Sequence, residues 1–454
     1  MAASREGSGV SYPRGTTRSG GALLEKTANR PRRTGLAATI AGEMFSSLRV
    51  ADYRRLYFGN MAFQFNSWAQ QLTFGWLLLL IGNSPFWLGL NGAMTGIALT
   101  VMAPIGGAIA DSWERRRCLL VTQSTAVSVN GAIALLYWLG YLEVWHLLVA
   151  SLAMGISYTF NMPARQALMA EIVPKPLLQN ATALHTASMN LARIVGPGLA
   201  GFLLSILSPL AVLCLNLLAN CWTVSQILAI RYRPPKALKP FRFRGAELAE
   251  GFQFCWRTRE LFETMVIVSI SNLFGLSYVQ LLPSFARDSL GTGPEGLGIL
   301  TAAMGGGALL GSLVLARVGE VRRRALTFRA ASLAVCVLMI PLGMAAHLLV
   351  AAPVLATIGF LTAVITALGL ATVQAYVPNE LSGRVFGVYM VCMGLMPLGS
   401  LPTGALATSI GTAHAIAIWG LLGTALLGAI VAAQAVGARR ARPQPAPADA
   451  PTTS

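Results

Sequence analysis

Residues 106–117 read Gly106-Gly107-Ala108-Ile109-Ala110-Asp111-Ser112-Trp113-Glu114-Arg115-Arg116-Arg117, and this turn stands between two long apolar segments. Arginine near the middle of a bilayer is costly, so the turn must lie at a water interface. Lys and Arg accumulate in the cytoplasmic loops of membrane proteins, which predicts that this turn faces the cytoplasm. The glycines allow a close helix–helix contact. Asp111 is placed to meet an arginine or the positive N-terminus of a neighbouring helix.

The composition is that of an integral membrane protein. Hydrophobic residues make up 55% of the 454 residues and charged residues only 11%, a balance that soluble proteins do not have. A membrane-crossing helix takes about 20 residues, so the chain has room for about twelve helices and little else. The net charge of +17 comes from residues outside the apolar runs. We therefore assign it to membrane topology rather than to nucleic-acid binding.

The sequence offers no metal or cofactor motif. Its six cysteines are scattered, mostly in apolar segments, without a CxxC pair or a metal-ligand spacing. We interpret these cysteines as small core residues in a reducing compartment or in lipid. A Gly-rich phosphate loop of the Walker type is also absent from the sequence, which argues against an ATP-driven pump. We expect a protein without a cofactor or a bound metal.

The apolar runs predict an all-α membrane fold of twelve transmembrane helices. The candidate spans are residues 56–80, 86–110, 118–140, 145–164, 182–205, 210–230, 262–285, 296–316, 327–348, 351–372, 385–408 and 414–436. They divide the chain into five segments: a basic cytoplasmic tail (1–55), a six-helix bundle (56–230), a cytoplasmic linker (231–261), a second six-helix bundle (262–436) and a disordered cytoplasmic tail (437–454).

The linker is expected to contain an amphipathic helix at the membrane surface. Leu248, Phe252, Cys255 and Phe262 recur in it at helical spacing, which is typical of interfacial helices.

Charge segregation supports this topology. Of the 34 Lys and Arg residues, 32 fall on the cytoplasmic side of the map or at cytoplasmic helix ends, Arg287 falls on the outer side and Arg193 falls deep inside a span. An even number of spans then places both termini in the cytoplasm.

An internal repeat relates the two predicted bundles. Three short motifs recur in the same order in both halves: residues 165–167, 172–174 and 196–197 correspond to 373–375, 376–378 and 396–397. Two parallel six-helix halves joined by a linker are a known transporter plan, so the repeat predicts two pseudo-symmetric bundles.

The turn at 106–117 resembles the signature loop between helices 2 and 3 of the major facilitator superfamily, Gly-x-(apolar)-Ala-Asp-x-x-x-Arg-(Arg/Lys). The matching residues are Gly107, Ile109, Ala110, Asp111, Arg115 and Arg116. Glu114 departs from the pattern, since many members carry glycine or aspartate there.

Further stretches resemble the bacterial branch of this superfamily that includes the enterobactin exporter. They are residues 163–167, 171–174, 190–197, 282–288 and 377–385. The resemblance extends over about residues 45–436. It implies a proton-driven efflux permease of the bacterial inner membrane for a siderophore, drug or metabolite. We expect it to act as a monomer.

A motif in span 5 resembles the Gly-Pro-x-x-Gly-Gly sequence of exporters. Gly196, Pro197 and Gly201 match, whereas Ala200 replaces a glycine. Proline opens a kink and glycine permits close packing, so this helix can bend as the halves move. The same residues could form a packing kink in any transporter, whatever its direction. The resemblance to the exporter motif favours export over import.

Arg193 is the most informative single residue in the sequence for a binding site. It falls near the middle of span 5, and an intramembrane arginine faces a cavity or a partner. It either attracts an anionic or catecholate-like group of the cargo or binds neutral groups such as Asn190 and helix carbonyls.

Polar residues in three further spans are the predicted cavity lining. Asn60, Gln64, Trp68 and Gln71 share one face of span 1. In the superfamily, helices 1, 4, 7 and 10 line the central cavity, which adds residues of spans 7 and 10: Asn272, Gln280, Thr362 and Thr366. Amides and aromatic rings suit an amphipathic organic molecule, although some of these residues could instead join helices by hydrogen bonds.

Two more groups follow from the resemblance. The conformational latch on the cytoplasmic side comprises Gly107, Asp111, Arg115, Arg116, Arg165 and Arg384, with Asp111 facing the start of helix 11 near Arg384. No carboxylate lies deep in a predicted span, so the proton-coupling candidates are Glu171 and His185, which titrate near the cytoplasmic side.

Three rival readings remain open: an importer of the same fold, a transport-inactive sensor and a membrane enzyme. The enzyme would need His, Asp or Glu concentrated at an interface, whereas the four histidines are dispersed.

Overall fold

The computed structural model describes residues 45–232, 245–319, 321, 323–378 and 381–440. Within these ranges the side chains of 103–112, 245–248, 382–383 and 435–440 are not described. Residues 1–44 and 441–454 of the predicted tails, and the side chain of Asp111, therefore lie outside the described part; Gly107 is described only as a backbone position of a helix.

Six long helices form the first half of the described chain. They are α1 (Ala51–Gly82), α2 (Pro85–Ser112), α3 (Arg115–Trp138), α4 (Val144–Ile172), α5 (Leu178–Ile206) and α6 (Pro209–Ala229). Single 3₁₀ turns precede two of them, Ser46–Arg49 before α1 and Lys175–Leu177 before α5. Proline begins α2 and α6, where its missing N–H leaves no helix hydrogen bond unmade.

The second half follows a short linker helix, α7 (Gly245–Arg257). Its membrane helices are α8 (Arg259–Ser289), α9 (Pro294–Val318), α10 (Arg324–Gly343), α11 (Leu348–Tyr376), α12 (Ser382–Ile410) and α13 (Thr412–Arg440).

Eleven of the described helices are long and apolar enough to cross a membrane by length and composition alone. The twelfth crossing is α1, which has 32 residues. Its buried polar side chains, among them Asn60, Gln64 and Gln70, make it less apolar than the others. The predicted twelve-helix fold is confirmed.

The α8 crossing is not a regular α-helix. It is α-helical over Arg259–Ile270, widens to a π-helix over Ser271–Leu276 and tightens to a 3₁₀-helix over Ser277–Leu281. A second π segment covers Phe285–Ser289. Such departures inside a helix are frequent at hinges and functional sites.

The two halves repeat one packing scheme. In the first half α2 packs on α4 and α3 on α6; in the second α9 packs on α11 and α10 on α13. The halves meet through two corresponding pairs, α2 with α12 and α5 with α9. This equivalence is the pseudo-symmetry that the sequence repeat predicts.

The two ends of the bundle differ. One end, here called the short-loop face, carries the connections at 83–84, 139–143, 207–208, 290–293, 344–347 and 411. The other end, the basic face, carries Arg115, Arg116, Arg117 and the connections at 173–177 and 377–381.

Among the described side chains, the apolar core is continuous between the halves toward the short-loop face. A large cluster joins Leu72, Trp76, Ala200 and Leu204 of the first half with many residues of the second. A separate cluster on the basic face contains first-half residues alone, such as Tyr53, Leu119 and Leu168. The described halves are thus packed together toward the short-loop face.

Boundaries shift by a few residues from the prediction. Helix α1 begins five residues before the predicted span at 56, so residues 51–55 are not part of a tail. Likewise α13 continues to Arg440, past the predicted start of the C-terminal tail at 437. The linker helix ends at Arg257, and Phe262 belongs to the next helix.

Candidate transport cavity and gates

A cavity of about 400 Å³ lies at mid-depth in the first half. Helices α1 to α5 line it, and Gln280 of α8 is the contribution of the second half among the lining residues. Its volume falls within the range of small-molecule sites.

Six predicted site residues line this cavity: Gln64, Trp68, Gln71, Asn190, Arg193 and Gln280. The spacing of 4 and 3 residues in α1 does place Gln64, Trp68 and Gln71 on one lining face.

Four predicted lining residues lie elsewhere, each with a local partner. Asn60 is buried and its Nδ2 lies 3.1 Å from Nδ1 of His185. Asn272 donates to the carbonyl of Val268 at 2.8 Å. The Thr362 hydroxyl donates to Ile358 O at 2.7 Å and the Thr366 hydroxyl to Thr362 O at 2.8 Å. These bonds to the preceding helical turn leave the threonine hydroxyls occupied.

Other lining residues were not predicted. Asn91, Gln123, Tyr158 and Asn161 belong to α2, α3 and α4. Asn91 and Gln123 are isolated amides in apolar spans, and that isolation was the signal available in the sequence, since a polar group in lipid needs a partner.

Arg193 reaches the cavity from near the middle of α5. Its Nε is buried and has no hydrogen-bond partner. The nearby Tyr278 hydroxyl of α8 donates toward the sulfur of Met304 at 3.8 Å. Arg193 is therefore a partly buried cation, and the described residues give it no carboxylate partner.

Arg165 is a second buried cation close to the cavity wall. It is 1% exposed, and its Nε donates to Oδ1 of Asn161 at 3.1 Å. Its guanidinium carbon lies 4.7 Å from the ring centroid of Phe63, a cation–π contact. Both terminal nitrogens are buried without a hydrogen-bond partner.

The two proton-coupling candidates have different surroundings. His185 is buried, bonds to Asn60 through Nδ1, and has no partner at Nε2. Glu171 lies at the basic end of α4, where its Oε1 is 2.9 Å from Nε of Arg115. Its Oε2 is buried without a hydrogen-bond partner.

The helix 5 motif stands at the contact between the two halves. Gly196 packs against Trp68, and Pro197 lies inside α5. A methyl group on Gly201 would come within 2.7 Å of the Gly298 Cα in α9, closer than real side chains approach. Glycine is therefore required here for α5 and α9 to touch backbone to backbone.

Named polar contacts join the halves toward the short-loop face. The Ser400 hydroxyl of α12 donates to the carbonyl of Gly89 in α2 at 2.9 Å. Arg287 Nη1 donates to Leu79 O at 3.1 Å, and the Ser84 and Thr408 hydroxyls are 3.4 Å apart. These contacts close the short-loop end.

On the basic face, the predicted latch residues are bound within their own halves. Arg115 pairs with Glu171, and Arg116 donates to the carbonyls of Ile227 and Leu228 at 3.2 and 2.9 Å. Arg384 of α12 pairs with Glu250 of α7 at 2.5 Å. Arg115 therefore pairs with Glu171 and Arg384 with Glu250. Neither of these pairs joins the two halves.

Twelve membrane helices in two related halves, a polar cavity at mid-depth and a closed short-loop end define a membrane transporter of the secondary type. The comparison with known families agrees: the model of the transmembrane secretion effector family matches residues 42–449. The chain belongs to this family of the major facilitator superfamily.

Individual relatives are similar over most of their length. The staphyloferrin A transporter of Staphylococcus aureus is 23% identical over 380 residues, covering 78% of this chain and 89% of the relative. The multidrug efflux pump Tap of Mycolicibacterium fortuitum is 26% identical over 351 residues, covering 75% and 85%. The crystal structure of the nucleoside transporter NupG superposes with a TM-score of 0.64 at 14% identity, covering 84% of this chain and 98% of that one. This last likeness supports the fold alone.

Proposed function

We propose that this protein exports an organic small molecule across the bacterial cytoplasmic membrane by alternating access. The single observation that carries the proposal is the cavity of about 400 Å³ at mid-depth, with the halves closed against each other toward the short-loop face. A protein in this state can load a molecule from the opposite side and release it after the halves rock.

The proposed orientation follows from charge. Lys and Arg accumulate on the cytoplasmic side of membrane proteins, so the basic face is the inner face and both termini are cytoplasmic. The described state is then inward-facing, with the outer gate closed by Ser400, Gly89, Ser84 and Thr408.

The export direction has support from relatives. One relative is named an efflux pump and another a siderophore transporter, and the Gly-Pro motif of exporters lies at the α5–α9 contact. We propose a siderophore, drug or metabolite as cargo, recognised by amides and aromatic rings such as Gln64, Gln71 and Trp68.

We propose the proton-motive force as the energy source and a monomer as the working unit. His185 is the better placed of the two coupling candidates, because it lies in the first half beside Asn60 and titrates in the physiological range when exposed to water. Glu171 is held by Arg115 on the basic face, at the end of α4.

The latch is part of the same proposal. When the halves close on the basic face, Arg384 exchanges Glu250 for Asp111, and Gly107 permits that contact. In the described state Arg384 is paired with Glu250.

Vesicles of both orientations test the direction. An exporter accumulates a fluorescent drug in inverted vesicles energised with respiratory substrate and does not accumulate it in right-side-out vesicles. The reverse pattern identifies an importer, and saturable binding without flux identifies a sensor. A Trp68→Ala variant with normal expression should lose most of the flux, whereas Trp138→Ala, on the exposed end of α3, should not.

A further inference from the structure

Along the middle of the described membrane helices, arginine side chains carry positive charge and there is no Asp or Glu. Each Asp or Glu in a described membrane helix lies within two turns of a helix end: Asp52, Asp111, Glu171, Glu260, Glu263, Asp288 and Glu295. Arg165 of α4 is fully buried, and Arg193 near the middle of α5 is partly buried, with its Nε inaccessible to solvent.

The arrangement is costly when empty. A buried cation without a counter-ion is strongly destabilising in a low-dielectric interior. Arg193 has a buried Nε without a hydrogen-bond partner and lines the cavity. Arg165 has two such nitrogens, and its neighbours Phe63 and Asn161 line the same cavity.

An anion in the cavity removes this cost. A carboxylate or phenolate accepts charge-assisted hydrogen bonds from guanidinium groups, and Arg presents them in a fork that matches a carboxylate. A cation in the same place would instead meet like charge with no carboxylate to offset it.

Charge conservation then determines the energetics of a transport cycle. The arginines stay with the protein, whereas an anionic cargo leaves with its charge. Each cycle therefore moves net negative charge outward, with or without a proton moving inward. An interior-negative potential favours that movement, and 100 mV supports about a fifty-fold gradient for each charge.

We infer that the cargo is an organic anion, held by Arg193, and that its export is electrogenic and driven by the membrane potential. This inference rests on the proposed function and narrows it: the potential suffices without a pH difference, which explains how a transporter can work without a carboxylate in its membrane interior.

Proteoliposomes with a potassium diffusion potential and equal pH on both sides test the inference. The probes are carboxyfluorescein, an organic anion, and ethidium, a cation of similar size. Carboxyfluorescein should move toward the positive compartment at least five times faster than at zero potential, whichever way the protein is inserted. Ethidium should not be carried.

Variants assign the effect to Arg193. Arg193→Gln should abolish the potential-driven flux, and Arg193→Lys, which keeps the charge, should retain part of it. Arg54→Gln removes an arginine from the exposed surface at the start of α1 and should change nothing. A monodisperse elution profile in detergent confirms that each variant is folded.

The outcomes separate the two proposals. Carboxyfluorescein flux that is indifferent to the sign of the potential, ethidium transport in its place, or full activity of Arg193→Gln overturns the inference while leaving export intact. A protein that moves neither probe under a potential or a pH gradient contradicts the proposed function and the inference together.

Discussion

Gly201 of α5 and Gly298 of α9 lie so close that a methyl group on Gly201 would reach within 2.7 Å of the Gly298 Cα. The two glycines belong to different halves, so their contact is part of the interface that closes the short-loop face. The motif that resembles an exporter signature is thus placed where the halves must separate and meet again.

Gly201→Ala should slow transport. Overpacking costs about 1–3 kcal/mol. This cost lowers the population of the state with a closed short-loop face about five- to 150-fold relative to the state in which that face is open. Gly198→Ala is the matched control, because a methyl there would sit 3.5 Å from the Ala302 Cβ, an ordinary contact. Efflux rates at equal expression check this, and equal rates for both variants would contradict the assigned interface.

A disulfide between Ser84→Cys and Thr408→Cys should lock the short-loop end closed. Their hydroxyl oxygens are 3.4 Å apart, and a disulfide needs sulfurs about 2.05 Å apart, a small further approach. Oxidation should abolish flux and a reducing agent should restore it, whereas either single variant should be insensitive. Full transport by completely cross-linked protein would show that this end need not open.

Glu250→Gln should shift the protein toward closure of the basic face. The variant frees Arg384 for Asp111. Because the pair is a third to a half exposed, its contribution is about 0.2–1 kcal/mol, a population shift of up to about fivefold. Labelling of Ser84→Cys by a maleimide reports opening of the short-loop face.

Two further variants serve as a comparison and a control for the Glu250→Gln experiment. Asp111→Asn should lower the same labelling rate, because it removes the alternative partner of Arg384. Glu260→Gln changes an exposed carboxylate at the start of α8 and should leave the rate unchanged. A Glu250→Gln protein indistinguishable from wild type would exclude the exchange of partners.

Cys255 should react slowly with maleimide over a wide pH range. Its side chain is buried in α7 against the second half, and burial raises the pKa of the thiol to about 11, with Cys392 nearby adding to the effect. Since the thiolate is the reactive form, the labelling rate should keep rising about tenfold per pH unit through pH 9.

The unfolded protein is the comparison for Cys255. A free cysteine has a pKa of about 8.5, so labelling of the Cys255 peptide in denaturant should level off near that pH. If the native protein levels off there too, the linker helix is not docked on the second half.

Much of the fold was predictable from the sequence because lipid imposes few solutions. Apolar length predicted the spans, and the position of arginines such as Arg115 and Arg116 predicted which connections share a face. The internal repeat predicted two equivalent halves. For Arg193 the sequence predicted either a cavity or a polar partner, since a mid-membrane cation has few other environments.

The shape of the cavity could not be predicted in this way. Whether a polar side chain faces a neighbour, its own helix or open space depends on helix rotation, which tertiary packing determines. Thr362 and Thr366 illustrate this point, because their hydroxyls bond to the carbonyls one turn earlier. The change from α- to π-helix at Ser271 likewise has no simple sequence signal.

The polar stripe of α1 also bears on how the protein is made. The insertion machinery recognises nascent segments by their affinity for lipid. Helix α1 is less apolar than the membrane helices that follow it, so its affinity for lipid is lower. Its main partners, α5 and α6, are synthesised more than a hundred residues later. The helix that contributes most side chains to the cavity is therefore the one whose packing partners are made late, so its polar stripe stays without them through the early part of synthesis.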